Sequence, residues 1–218
     1  MATRVLLIGD SIRAHYKEEV RKQLGEDYEV MGPSENCRFS SYVLNSLRFW
    51  LEEFQTPDII HWNAGLWDTA ILYHEDGCFT ELDKYVSDMK KILRELKKTG
   101  ATVIFATTTP VADDKKFLSG PIPPAHDNAD IIRYNQAVLE AFQDEDVIIN
   151  DLFSLMYPKK KQYLKEDMIH PNEEGAAVLG KAVADIIKAQ QAMNLKTTNY
   201  CTDKVQKEYI KMDEHLIQ

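Results

Sequence analysis

The sequence predicts an α/β protein: a five-stranded parallel sheet in a three-layer α/β/α sandwich. Three observations lead there. Short apolar runs alternate along the chain with amphipathic segments of helical period. Successive strand-like runs are separated by helices, so the connections are right-handed crossovers that build a parallel sheet with helices on both faces. The chain has 218 residues, 44% of them hydrophobic, which suffices for one core of ordinary domain size.

Taken in order, Arg4–Gly9 is a short buried strand, followed by a helix to about Leu24. Tyr28–Met31 is a second, weaker strand. Ser40–Phe54 reads as a helix, with Val43, Leu44, Leu47 and Leu51 on one stripe. Thr56-Pro57 introduces a third strand, Asp58–Asn63. Thr80–Lys98 is a long helix carrying Leu82, Val86, Met89, Leu93 and Leu96 at helical spacing. Its Lys97-Lys98 end and Gly100 form a C-terminal signal. Ala101–Thr107 is the fourth strand, Ala129–Phe142 a helix and Val147–Asn150 the fifth strand. Asn172–Gln190 closes the domain, with Ala176, Leu179, Val183 and Ile187 turned inward. Val111–Asn128, with Gly120, Pro121, Pro123 and Pro124, reads as a long loop leaving a strand's carboxyl end, where functional loops are common. Residues 1–190 are thus one domain. Residues 191–218 are polar, with a candidate amphipathic helix over Val205–Ile217 that would pack on the domain or on a second subunit of a homo-oligomer.

A net charge of −9 makes nucleic acid and anionic lipid poor partners. Cys37, Cys78 and Cys201 are an odd number, widely spaced, and suggest neither a disulfide framework nor a zinc site. A reducing cytoplasm fits best. The apolar stretch Val5–Gly9 is too short for a signal segment or a membrane span. No HExxH or similar metal cluster occurs, and no cofactor is expected.

In parallel sheets with crossover helices, ligands bind at the carboxyl ends of the strands. Gly9-Asp10-Ser11 lies at the first such end. A serine there has its N–H in the first helical turn, where partial positive charge gathers, which suits a nucleophile whose oxyanion must be stabilised. Asp167-Met168-Ile169-His170 precedes the last helix. A three-residue spacing lets one turn carry both groups, the aspartate holding the ring by Nδ1–H and leaving Nε2 to take the serine proton. Pro171 suits a first helical position. Alone, each motif is more often a helix cap than a catalyst. Together, they place a candidate nucleophile in the first strand–helix turn and a candidate acid–base pair at the start of the final helix.

These two blocks resemble the GDS and DxxH blocks of the GDSL/SGNH hydrolases, and the resemblance covers roughly residues 4–190. It implies a flavodoxin-like α/β/α sandwich, with Ser11 as nucleophile and Asp167 and His170 completing the triad. It also implies oxyanion donors in two further blocks. Over Pro33–Ser40, Cys37 falls where the family has a glycine whose backbone N–H donates. Over His61–Asp68, Gly65 and Asp68 match the family pattern, but Trp67 stands where the asparagine donor is usual. Asn63, at the strand exit, is the better candidate amide, and Trp67 is a candidate cleft residue. Arg13 and Glu35 are candidates to line the pocket, and Thr107–Pro110 should border it. His15, four residues after Ser11 on the same helical face, borders the cleft. His61 reads as structural, His74 and His126 as loop residues, His215 as part of the tail, and Asp10 as a brace of the first turn.

The activity implied is hydrolysis of a small-molecule ester through an acyl-enzyme, with a carbohydrate O-acetyl group as first choice of substrate. Lysophospholipase, thioesterase and acyltransferase chemistry would use the same triad. A catalytically silent flavodoxin-like binding module is the non-enzymatic alternative.

Overall fold

The computed structural model describes residues 2–72, 76–113 and 125–192. Five strands form one sheet: β1 (Thr3–Ile8), β2 (Tyr28–Met31), β3 (Ile59–Trp62), β4 (Thr102–Ala106) and β5 (Ile148–Asn150). The order is β2-β1-β3-β4-β5, with every pairing parallel. Val5 stands opposite Val30 on one side and Ile59 on the other. The bounds expected for β2 are the observed ones, and those of the other four strands differ by no more than one residue at either end. Val5–Ile8 of β1 and the whole of β3 are buried, and His61 is the one polar residue among them. A parallel sheet covered on both faces requires such runs.

The helices that the sequence predicts are α1 (Ser11–Leu24), α2 (Ser40–Glu53), α3 (Leu82–Lys97), α4 (Asn128–Ala141) and α7 (Glu173–Ala192). α1 packs along α7 on one face, and α2, α3 and α4 pack in series on the other. Gly180 permits the first contact: a Cβ there would lie 2.7 Å from the Cβ of Glu19. The apolar stripes point inward as their spacing predicts, with Val43, Leu47, Met89, Leu93, Leu96, Leu179, Val183 and Ile187 buried. Ala176 is only half-buried. Trp62, Phe105 and Phe142 form an aromatic cluster under the site, with centroids 5.2–6.3 Å apart.

The sequence reading missed α5 (Leu152–Met156), a 3-10 turn (Tyr157–Lys159) and α6 (Lys160–Tyr163). Each is too short to show helical periodicity. Pro171, expected as a first helical residue, instead pairs with Leu164 in a bridge ahead of α7. Asn172 caps that helix, its side-chain oxygen accepting from the Gly175 N–H at 3.0 Å. Most of the long loop after β4, His74 and the tail beyond Ala192, with its candidate helix and His215, lie outside the described residues.

The strand order reverses between β1 and β3. In open α/β sheets that switch point is where the crevice opens. Ser11 follows β1 there, and Asn63 follows β3.

Candidate active site

The Gly9-Asp10-Ser11 turn is held from both sides. Asp10 is the N-cap of α1, and its Oδ1 accepts the Ile12 N–H at 2.9 Å. Ser11 is thereby the first helical residue. Its own N–H has no acceptor among the described residues and stands where the helix concentrates partial positive charge. Asp10 is fully buried, and its Oδ2 has no hydrogen-bond partner among the described residues. Burial pushes its carboxyl up to about 6, against the pull of the Ile12 N–H, His170 and Arg13.

The second element is the turn before α7. Asp167 Oδ1 accepts the backbone N–H of both Ile169 and His170, each at 2.9 Å. Met168 takes a left-handed conformation (φ 65°), and its carbonyl accepts from Ala112 N–H at 2.9 Å. Lys165 N–H closes the turn on the His170 carbonyl at 2.8 Å. This leaves Asp167 Oδ2 to accept from His170 Nδ1 at 2.8 Å. A carboxylate acceptor fixes the proton on Nδ1, so Nε2 carries the lone pair. Partial burial raises the Asp167 carboxyl, but its backbone donors and the His170 ring outweigh this and hold it below the ordinary range.

The packing of α7 on α1 joins the two elements. It brings His170 Nε2 to 2.8 Å from Ser11 Oγ, across 159 residues of sequence. A serine hydroxyl facing a basic imidazole nitrogen, with the opposite nitrogen held by a carboxylate, can deliver an activated alkoxide to a carbonyl.

The other expected site residues divide. Asn63 is half-buried at the β3 exit; its Nδ2 donates to the Ala106 carbonyl at 2.7 Å, which leaves its second amide proton uncommitted apart from a 3.5 Å contact with Thr108 Oγ1. Trp67 is 42% exposed on the turn after β3. Cys37 departs from its expected role as oxyanion donor. Its amide donates to the Gly9 carbonyl at 3.3 Å, and its buried thiol is pushed up to about 11 by desolvation. Arg13 is corrected too: it is buried, and its guanidinium donates to the carbonyls of Gly9, Pro33 and Glu35 at 3.2, 2.8 and 2.7 Å. It clamps the Pro33–Cys37 loop to the nucleophile turn rather than facing substrate. The Glu35 carboxylate turns to Tyr42 Oη and Trp50 Nε1, away from the expected pocket.

Gly65 and Asp68 serve the architecture. A Cβ on Gly65 would meet Thr108 Oγ1 at 2.1 Å. Asp68 is buried and accepts from the Ser40 N–H at 2.9 Å and its hydroxyl at 2.6 Å, fastening the loop after β3 to the start of α2. His61 is structural: its Nε2 accepts from Asn150 Nδ2 at 3.1 Å, and burial lowers it to about 3.

Two further histidines lie near His170. The His15 ring stacks on that of His170 with centroids 4.9 Å apart. Its position one turn beyond Ser11 was the available signal. His126 is 6% exposed and lowered to about 4, chiefly by burial and secondarily by His170. No local pattern marked it.

A parallel sheet ordered 2-1-3-4-5 between two helical layers, with its crevice at the β1–β3 reversal, matches the SGNH hydrolase fold of similar solved structures. Residues 7–178 match the GDSL-like Lipase/Acylhydrolase family, and the chain belongs to it. It is accordingly a carboxylic ester hydrolase. No curated protein matches the chain by sequence. Similar solved structures include a lipase/acylhydrolase from Enterococcus faecalis, with TM-score 0.70 and 18% identity over 91% of this chain and 100% of that one. A carbohydrate esterase family 3 protein from Talaromyces cellulolyticus gives 0.65 and 17% over 90% and 100%. A variant of an acetyl-xylooligosaccharide esterase from Geobacillus Stearmophilus gives 0.66 and 15% over 85% and 94%. Among the described residues, no helix is long and apolar enough to cross a membrane.

Proposed function

We propose that this hydrolase is a serine esterase in which Ser11 is the nucleophile, His170 the acid–base and Asp167 the carboxylate that orients it. The observation that carries this reading is the 2.8 Å contact between Ser11 Oγ and His170 Nε2. His170 Nε2 takes the Ser11 proton as Oγ attacks the ester carbonyl. The tetrahedral oxyanion is received by the Ser11 N–H and the second amide proton of Asn63. His170 then returns the proton to the departing alcohol, leaving acyl-Ser11. Water, deprotonated by the same Nε2, attacks the acyl carbon and releases the acid and free serine.

The favoured substrate is a short acyl ester, above all an acetyl group on a carbohydrate. Structural neighbours described as an acetyl xylan esterase and an acetyl-xylooligosaccharide esterase support this choice. Trp67, 42% exposed on the turn after β3, is an aromatic side chain on which a sugar ring can stack. A reducing intracellular location belongs to the same proposal, since three widely spaced cysteines suggest no disulfide framework.

The test is a panel of p-nitrophenyl esters from acetate to octanoate beside acetylated xylo-oligosaccharides. Acetate and the acetylated sugars should be the best substrates, and Ser11→Ala should abolish turnover and fluorophosphonate labelling. Activity confined to long chains would discard the deacetylase reading. Wild-type turnover by Ser11→Ala would discard the triad.

A further inference from the structure

His15 occupies a position that the proposed triad leaves without a task. It lies four residues after Ser11 on α1, so its side chain falls on the nucleophile's face of the helix. Its Nδ1 is 2.8 Å from the Ser11 carbonyl oxygen. A carbonyl only accepts, so Nδ1 carries the proton and donates. That bond sets the plane of the His15 ring, which lies over His170 with centroids 4.9 Å apart and planes inclined by 28°.

The His170 ring needs such a neighbour. Its backbone is fixed by the turn, but the ring rotates about its own side-chain bonds. Asp167 Oδ2 holds one edge and Ser11 Oγ the other. Both edge contacts are partly open to water: the His170 side chain is 30% exposed and that of Asp167 39%. The Ser11 contact is also lost at each turnover, when Oγ becomes acylated. At that stage only Asp167 and whatever covers the ring face keep Nε2 aimed at the acyl carbon.

Resting on the triad reading, we infer that His15 is a positioning residue for His170: a flat platform, braced on the Ser11 carbonyl, that keeps the acid–base ring in register through acylation and deacylation. An aromatic ring face also favours the imidazolium that His170 becomes in each transition state. A cation over an aromatic face at an exposed site corresponds to about a two- to fivefold change in rate.

The experiment is steady-state kinetics of His15→Ala and His15→Phe on p-nitrophenyl acetate. The alanine variant should lower kcat about two- to fivefold with KM unchanged. Phenylalanine, which restores a ring face but has no Nδ1–H, should recover most of it. The ring proton of His170 on Nδ1, followed by NMR, should exchange faster in His15→Ala and return to wild-type behaviour in His15→Phe. Wild-type kcat in His15→Ala, or a phenylalanine variant no better than alanine, overturns the platform. Fluorophosphonate labelling of the wild type separates the two levels. Failure to label Ser11 removes the triad and this inference with it. Labelled Ser11 with unresponsive His15 variants removes this inference alone.

Discussion

Asp167 holds His170 twice: Oδ1 accepts its backbone N–H at 2.9 Å and Oδ2 its ring Nδ1 at 2.8 Å. One carboxylate therefore shapes the turn and selects the tautomer. Asp167→Asn separates these tasks. The amide oxygen can still accept both backbone N–H groups, so the turn survives. The amide nitrogen then faces Nδ1 with a donor and favours the wrong tautomer. By analogy with triads of this type, kcat should fall by roughly three to four orders of magnitude. The melting temperature should move little. Asp167→Ala, which also strips the turn of its acceptor, should lose both activity and stability. Calorimetry beside ester kinetics checks the contrast.

The two carboxylates beside the nucleophile respond to pH in opposite senses. Asp167 is held below its ordinary value, so it contributes stability above the unfolded carboxyl range that is lost as pH falls through its folded value. Asp10 is raised from 3.8 to about 6. Between those values the native state binds more protons than the unfolded one, so stability falls as pH rises, and above about 6 the full penalty applies. Asp10→Asn keeps the acceptor for Ile12 and removes the buried charge. It should stabilise the protein at pH 8 by up to about 3 kcal/mol, at 1.36 kcal/mol per unit, and by nothing near pH 4. It should also slow the reaction, because the Asp10 charge favours the imidazolium form of His170. Unfolding curves at both pH values, with kcat at the higher, would reveal this trade. A variant less stable at pH 8 would reject it.

The sheet and the two blocks that carry Ser11 and Asp167–His170 were legible in the sequence because each rests on local signals. Val5–Ile8 and Ile59–Ile60 are apolar runs, Ser11 opens α1, and Asp167 and His170 lie three residues apart in the turn ahead of α7. The failures are of another kind. Arg13 and Glu35 are charged residues near the nucleophile, and local sequence cannot tell a guanidinium turned to substrate from one turned to three carbonyls. Cys37 sat in the right block, but its amide was already committed to Gly9, a contact between two loops that no spacing rule encodes. The His15–His170 stack depends on α7 lying against α1, which is tertiary packing.

The Arg13 clamp makes a distinct prediction. Arg13→Lys keeps the charge but loses the planar fork that reaches three carbonyls. It should leave buried acceptors unpaired and cost about 2–3 kcal/mol of stability. With the Ser11 turn loosened, kcat should drop while KM for small esters stays near wild type. A raised KM with unchanged melting temperature would instead place Arg13 in the substrate cleft.

Asn63 and Trp67 compete for the oxyanion role, and single substitutions separate them. Asn63 Nδ2 spends one proton on the Ala106 carbonyl at 2.7 Å, which fixes the amide plane, and the other has only a 3.5 Å contact with Thr108 Oγ1 to give up in the proposed oxyanion role. Asn63→Ala removes that donor and should lower kcat by about a hundred- to a thousandfold, with little change in KM. Loss of the Ala106 bond should add only about 1 kcal/mol of destabilisation. Asn63→Asp should be worse still, since a carboxylate there repels both the Ala106 carbonyl and the oxyanion. Trp67→Phe removes the indole N–H but keeps an aromatic face. It should leave kcat on p-nitrophenyl acetate intact, and KM for acetylated oligosaccharides should rise only on Trp67→Ala. If Trp67→Phe lost a hundredfold in kcat and Asn63→Ala did not, the donor would be the indole, and the 2.7 Å bond from Asn63 would be no more than a brace between β3 and β4.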